Sequence, residues 1–162
     1  MTERTQSKIK FVGLHAHSVA GSIFDGLGFP QEHMDFAYQN GMDALALTDH
    51  GNQNGLAYQV LHAKKMKSEG KDFKPIFGCE AYFIPSIEKW KEEYEQAMLD
   101  KKKARAAKKA GASGATVEDE GASKGKSNSV LRRRRHLVLL AQNQKGLNNL
   151  FKLVSESYKD EN

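Results

Sequence analysis

Cysteine is almost missing from this sequence, with Cys79 the single thiol in 162 residues. One thiol cannot form an internal disulfide, which excludes a disulfide-stapled secreted scaffold, and with no Cys-x-x-Cys pair there is no zinc finger or redox motif. Proline is scarce too, at three residues, so long stretches are free to form helices and strands. No apolar run approaches the ~20 residues of a membrane-spanning helix. The opening MTERTQSKIK lacks the hydrophobic core of a secretion signal. These absences lead to the expectation of a soluble, cytoplasmic chain with no membrane partner.

Charge, by contrast, is plentiful and unevenly placed. The net charge is +5, yet twelve Lys and Arg against three acids lie between Lys101 and Arg135, leaving 13 bases against 17 acids elsewhere. Basicity is therefore a property of one segment. A solvated charge run accounts for it, and so does contact with a nucleic-acid backbone. For the second reading the candidate contacts are Lys101, Lys102, Lys103, Arg105, Lys108, Lys109, Arg132, Arg133, Arg134 and Arg135.

Phe11 to Leu14 is a short apolar run ending at His15 and predicts a strand. A Gly-rich loop follows. Pro30 then opens a helix on which Met34, Ala37 and Tyr38 share a face, and Gly41 closes it. The pattern repeats, with Ala44 to Leu47 ending at TDHG and a helix through Leu56, Val60, Ala63 and Lys64 as far as Gly70. Pro75 to Phe77 begins a third strand leading through Gly78, Cys79 and Glu80 to Ile84, and His136 to Ala141 is a fourth. Leu147, Leu150, Phe151 and Val154 then mark one helical face. Strands alternating with helices predict an α/β fold with a parallel sheet or a β/α barrel. Residues 1–85 and 131–162 belong to that body. Residues 86–130 form an insertion, helix-prone from Glu88 to Lys109 and then too poor in large apolar residues to build a core.

In a β/α barrel the residues just past the C-terminal strand ends converge on one face. Here those are His15 and His17, Asp49 and His50, and Glu80. In extended backbone the His-x-His spacing points both rings the same way, so two nitrogens can reach one ion. Asp25 and Glu80 could complete such a site or bridge to a second ion. Each side chain alone also fits a duller role: a hydrogen-bonded structural histidine, a loop acceptor, or, for Asp49, a carboxylate orienting the ring of His50 without touching metal. His33 and His62 fall on helices as packing or surface residues. Cys79 reads as a small buried residue.

Four blocks in order, LHAHSVAGSIFDG, ALALTDHGNQNGL, KPIFGCEAYF and HLVLLAQNQKGLNNLFKLVSESY, resemble the amino-terminal PHP (polymerase and histidinol phosphatase) domain of bacterial DNA polymerase III alpha subunits. The resemblance implies a seven-stranded β/α barrel, of which about four βα units are present, with the later ligands and the polymerase domains lying beyond the chain. It implies metal ligation by His15, His17, Asp25, His50, Glu80 and His136, the last chosen on the resemblance alone. It implies two or three Zn²⁺ or Mn²⁺ ions and phosphoester hydrolysis, with a 3′-to-5′ exonuclease as the activity, and Mg²⁺ for the parent polymerase. The implied partners are a DNA primer-template, the other polymerase domains and the replication holoenzyme subunits. A fragment of this size is expected to be inactive alone. Two other readings are a structural metal module supporting the polymerase core and a stand-alone small-molecule phosphatase.

Overall fold

A computed structural model describes residues 4–5, 10–109 and 135–159, with the helical backbone alone for Ala107, Lys108 and Lys109. Its elements run α1 (Pro30–Gln39), β1 (Ala44–Leu47), α2 (Leu56–Ser68), β2 (Lys74–Phe83), α3 (Ile87–Lys109), β3 (Arg135–Leu140) and α4 (Gln144–Ser157). The chain divides into two compact units, residues 1–82 with 136–162, and residues 83–135. No helix among the described residues is long and apolar enough to cross a membrane.

Sequence chemistry accounts for the first unit. Pro30 occupies the first turn of α1, where its missing N–H costs nothing, and Glu32 reaches back to accept the Phe29 N–H at 2.6 Å. Met34 and Ala37, three residues apart, bury one face of the helix. Gly41 at φ 85° and Gly70 at φ 75° end the turns after α1 and α2 in the left-handed region that glycine adopts without strain. All four residues of β1 are buried. Leu45 and Leu47 join Met34, Ala37, Met66 and Phe73 in the core, and α1 packs on both β1 and α2. On α2 the inner stripe runs through Gln59 and Met66, whereas Val60 is only half-buried.

The sheet order is β1-β2-β3. β1 and β2 are parallel, pairing Ala44 with Lys74 through Leu47 with Phe77, and α2 is their crossover helix. Three sequence expectations need correction. Residues 11–14 do not form a strand: one parallel bridge joins Gly13 to Leu45, and Phe11 and Leu14 stay exposed on that edge, with no layer over them among the described residues. Glu80 does not follow a strand but lies within β2, which continues unbroken to Phe83.

The third correction concerns β3. Ala141 donates to the Phe77 carbonyl at 2.8 Å, while His136 lies against Glu80, so β3 runs antiparallel to β2. The helix between them, α3, lies in the second unit and is not a crossover. This reversal carries His136, at the N-terminal end of its strand, to the height reached by the C-terminal ends of the other lanes. α4 starts from Asn143, whose side chain accepts the Gly146 N–H at 3.0 Å. Of its expected apolar face Leu150 is buried and Phe151 is exposed.

Candidate metal centre

Register places the site. The spacing that pairs Leu47 with Phe77 persists beyond β1 and brings His50 opposite Glu80 in a further parallel bridge. Two backbone bonds hold that bridge, Glu80 N–H to the Asp49 carbonyl at 3.1 Å and Gly51 N–H to the Glu80 carbonyl at 2.9 Å. On the other side of β1, Ala46 N–H donates to Gly13 and Thr48 N–H to Ala16, each at 2.8 Å, so residues 15–17 run beside 47–49. The three lanes deliver His15, His17, His50 and Glu80 to one place.

Glu80 is the floor, fully buried beneath four rings. Its Oε2 faces His15 Nε2 in close contact and His17 Nε2 at 3.0 Å, and the two ring nitrogens are themselves 3.0 Å apart. Its Oε1 faces His50 Nδ1 at 3.2 Å and His136 Nδ1 in close contact. Asp25, on the loop after His17, closes the group with Oδ2 2.7 Å from His50 Nε2 and 3.2 Å from His17 Nδ1. Three triplets result, His15–His17–Glu80, His17–Asp25–His50 and His50–Glu80–His136, with all donor atoms of each within 4.8 Å of one another. The structure thus brings all six sequence-chosen residues together. The floor is dry, whereas His15, Asp25 and His136 are about half-exposed and form the open side.

This arrangement fits a metal ion better than a hydrogen-bond network. An ionised carboxylate only accepts, and a neutral imidazole offers one N–H and one lone pair. No hydrogen bond reaches Glu80 Oε1 although it is buried and two ring nitrogens adjoin it. Ligand atoms ~2.1 Å from a shared ion at tetrahedral or octahedral angles lie about 3.0–3.4 Å apart, and His17 Nε2 has that spacing from both Glu80 Oε2 and His15 Nε2, at 3.0 Å each. Imidazole with carboxylate suits Zn²⁺ or Mn²⁺. Asp25 can serve as a ligand, or as the acceptor that orients the rings of His17 and His50 when their other nitrogens bind.

Ionisation follows from these contacts. Burial works to raise the Glu80 carboxyl, but hydrogen bonds from His15 and His17 outweigh it and hold the group below its ordinary range. The His50 bond holds Asp25 low as well. For His50, burial works to lower the imidazole, and the Asp25 bond with the Glu80 charge overrides it and raises the ring above its usual value.

Asp49 sits one layer out, and its contacts differ from those expected. The buried carboxylate accepts from Ser18 N–H at 2.7 Å, Ser18 Oγ at 2.9 Å and Ser22 Oγ at 3.0 Å, so its partners are serines instead of a ring. Ser22 Oγ in turn accepts the His50 N–H at 3.1 Å. Asp49 therefore clamps the segment after His17 to the segment carrying His50. Ser18 and Ser22 were not legible as site residues; the one signal is that two small polar residues bracket Gly21 right after His-x-His. Tyr82 was missed too: its ring stacks on His50 at 5° and its hydroxyl lies 3.3 Å from His50 Nδ1.

Other expected residues lie elsewhere. Lys101, Lys102, Lys103 and Arg105 are exposed on α3, and Arg135 is exposed at the start of β3. Arg132, Arg133 and Arg134 lie outside the described residues, as do the side chains of Lys108 and Lys109. His62 pairs with Asp35 at 2.9 Å and takes no part in the cluster.

The profile of the PHP domain matches residues 13–162, a span containing all six clustered side chains. The chain is 31% identical to the DNA polymerase III subunit alpha of Treponema pallidum over 94% of its length, and 33% identical to that of Aquifex aeolicus over 93%. It spans about a tenth of either relative, 10% in each case. Among solved structures, a two-domain protein from Bacteroides vulgatus containing a predicted PHP-like metal-dependent phosphoesterase is similar at a TM-score of 0.40 and 20% identity, over 54% of this chain and 28% of that one. Because the match to the PHP domain spans residues 13–162, from the His-x-His segment through His136 and α4, this chain belongs to the PHP domain family.

Proposed function

We propose that the cluster is the metal-dependent phosphoesterase site of a DNA polymerase III alpha subunit, acting as a 3′-to-5′ exonuclease on a primer end. The observation that carries this is the fully buried Glu80 carboxylate, both of whose oxygens face histidine nitrogens while the opposite side of the cluster is open. His15 and His17 with Glu80 Oε2 would hold one Zn²⁺ or Mn²⁺, and His50 and His136 with Glu80 Oε1 a second. Such ions lower the pKa of a water and neutralise charge developing on a phosphate.

The protein's own groups do the rest. The dry floor keeps the donors fixed, so little reorganisation accompanies binding. Asp25, half-exposed on the open side, is placed to accept a proton or to hold the two rings beside it. The primer-template, the remaining polymerase domains with their Mg²⁺, other holoenzyme subunits and a cytoplasmic setting belong to the same proposal.

The test uses the full-length protein. Elemental analysis should find two or more ions per chain, and a mismatched 3′ end should be removed. His15→Ala and His50→Ala should abolish removal while sparing polymerisation. Unchanged nuclease rates in both variants would reject the reading. Bound metal with no cleavage in the parent would point to a structural module.

A further inference from the structure

Along α3 the charge changes sign within a single step. From Ile87 to Asp100 there are five acids and two bases, and from Lys101 to Lys109 six bases and no acid. Lys101, Lys102, Lys103 and Arg105 are all exposed. Acids three or four residues away along the helix would stabilise such bases. Within α3 only Lys103 has one, Asp100, which already accepts from Gln96 Nε2 at 3.0 Å. At those spacings Lys101, Lys102 and Arg105 have only apolar or basic residues, and Lys101 and Arg105, four apart, repel each other. Among the described residues none of the four is in an ion pair. Attraction to the C-terminal end of the helix dipole accounts for cations in the last turn, and it does not extend back to Lys101, Lys102 and Lys103.

We infer that the basic half of α3 binds the phosphate backbone of nucleic acid without regard to sequence. Charge selects a polyanion, because each cation that neutralises a phosphate releases a condensed counterion, and contacts to phosphate carry no sequence information. Composition then separates nucleic acid from the other polyanions. Protein interfaces are poor in lysine and rich in aromatic residues, and α3 has no aromatic residue beyond Tyr94. A lipid surface needs an apolar face to bury beside the charges, and from Lys101 to Lys109 the apolar residues are alanines alone. α3 belongs to the second compact unit, and the inference does not depend on metal binding or hydrolysis.

The experiment measures binding of two duplex DNAs of unrelated sequence by the full-length protein, by anisotropy across a range of salt concentrations, with a chelator present so that no hydrolysis intervenes. One variant combines Lys101→Gln, Lys102→Gln and Arg105→Gln, and a second combines Lys101→Arg and Lys102→Arg. Glutamine and arginine match lysine in helix propensity, so both variants keep α3. Removing three phosphate contacts should lower the slope of log affinity against log salt by about 2 to 3, equally for the two sequences, and the arginine variant should keep the wild-type slope. An unchanged slope in the glutamine variant overturns the inference. So does weaker binding at an unchanged slope, which would assign the loss to the fold, or a loss confined to one sequence. Vesicles of mixed phosphatidylserine and phosphatidylcholine test the lipid alternative: vesicle binding that the glutamine variant loses while its DNA slope stays at the wild-type value assigns the surface to a membrane and overturns the inference.

Discussion

His50 stands opposite Glu80 in the same register that sets Leu47 opposite Phe77. The ladder that builds the sheet therefore also aligns the cluster, and the ligand geometry inherits the rigidity of paired backbone. Glu80 and His136 lie within strands, His50 in an isolated bridge just past β1, His15 and His17 beside the end of β1 through the Thr48–Ala16 bond, and Asp25 on a loop. Rigid elements hold donor atoms more closely than loops do, and the wholly buried residue of the set, Glu80, lies inside a strand.

Glu80→Gln should therefore be the most damaging conservative change. It keeps shape and volume but removes the charge that both pairs of histidines face. Metal affinity should fall about a hundredfold or more, measured by calorimetric titration of Mn²⁺ into chelator-treated protein. Retention of wild-type affinity would show that the histidines bind without the floor.

Asp49→Ala should act through the fold. Three donors lose their buried acceptor, and each unsatisfied group costs free energy that water at a closed site does not return. The loss should be on the order of 3 kcal/mol, seen as a lower urea midpoint with an unchanged slope. Asp49→Asn should recover only part of it, because an amide nitrogen cannot accept from a serine hydroxyl.

The Arg4–Asp43 pair gives a pH dependence away from the cluster. The Arg4 hydrogen bond, helped by Lys10, holds the Asp43 carboxyl below its ordinary value. Arg4 also donates to the Tyr38 carbonyl at 3.1 Å and stacks over the Tyr38 ring. A depressed carboxyl contributes stability above its unfolded pKa and loses it as pH falls through the folded value. Amide exchange at Thr5, which bonds the Gln39 carbonyl, should accelerate below the usual carboxylate range relative to its intrinsic rate. Asp43→Asn should show the faster exchange at all pH values. The effect is small because the pair is exposed.

Much of this was legible in the sequence, for reasons that differ by residue. Pro30, Gly41 and Gly70 mark helix ends through constraints on φ that act locally, and they needed no tertiary information. His15, His17 and His50 were legible because a polar ring directly after an apolar run is unusual. His136 was not, since its place depends on β3 running against β2, and no local pattern distinguishes a strand returning as a hairpin from one entering after a crossover. The edge at residues 11–14 failed differently: its apolar run reads as a strand, but it makes only a single bridge to β1, and among the described residues nothing covers Phe11 and Leu14. Ser18, Ser22 and Tyr82 were hidden because their roles are set by contacts with Asp49 and His50, each far off in sequence.

Gly26 tests whether the loop bearing Asp25 is as tightly fixed as the strands. A methyl group at this position would lie 2.4 Å from the backbone carbon and oxygen of Ser18 and 2.6 Å from the Ser22 oxygen. Those atoms cannot swing away like a side-chain tip, because Ser18 and Ser22 are both bound to Asp49. Gly26→Ala should therefore push the loop outward, at about 2 kcal/mol of stability, and carry Asp25 away from His50 Nε2. Metal affinity should drop with stability, and the two should separate in Asp25→Asn, which leaves the loop backbone in place and alters only the carboxylate. Calorimetric titration and urea unfolding of both variants check this. If Gly26→Ala unfolds at the wild-type urea concentration and binds metal normally, the loop is pliant and the Asp49 clamp does not govern the position of Asp25.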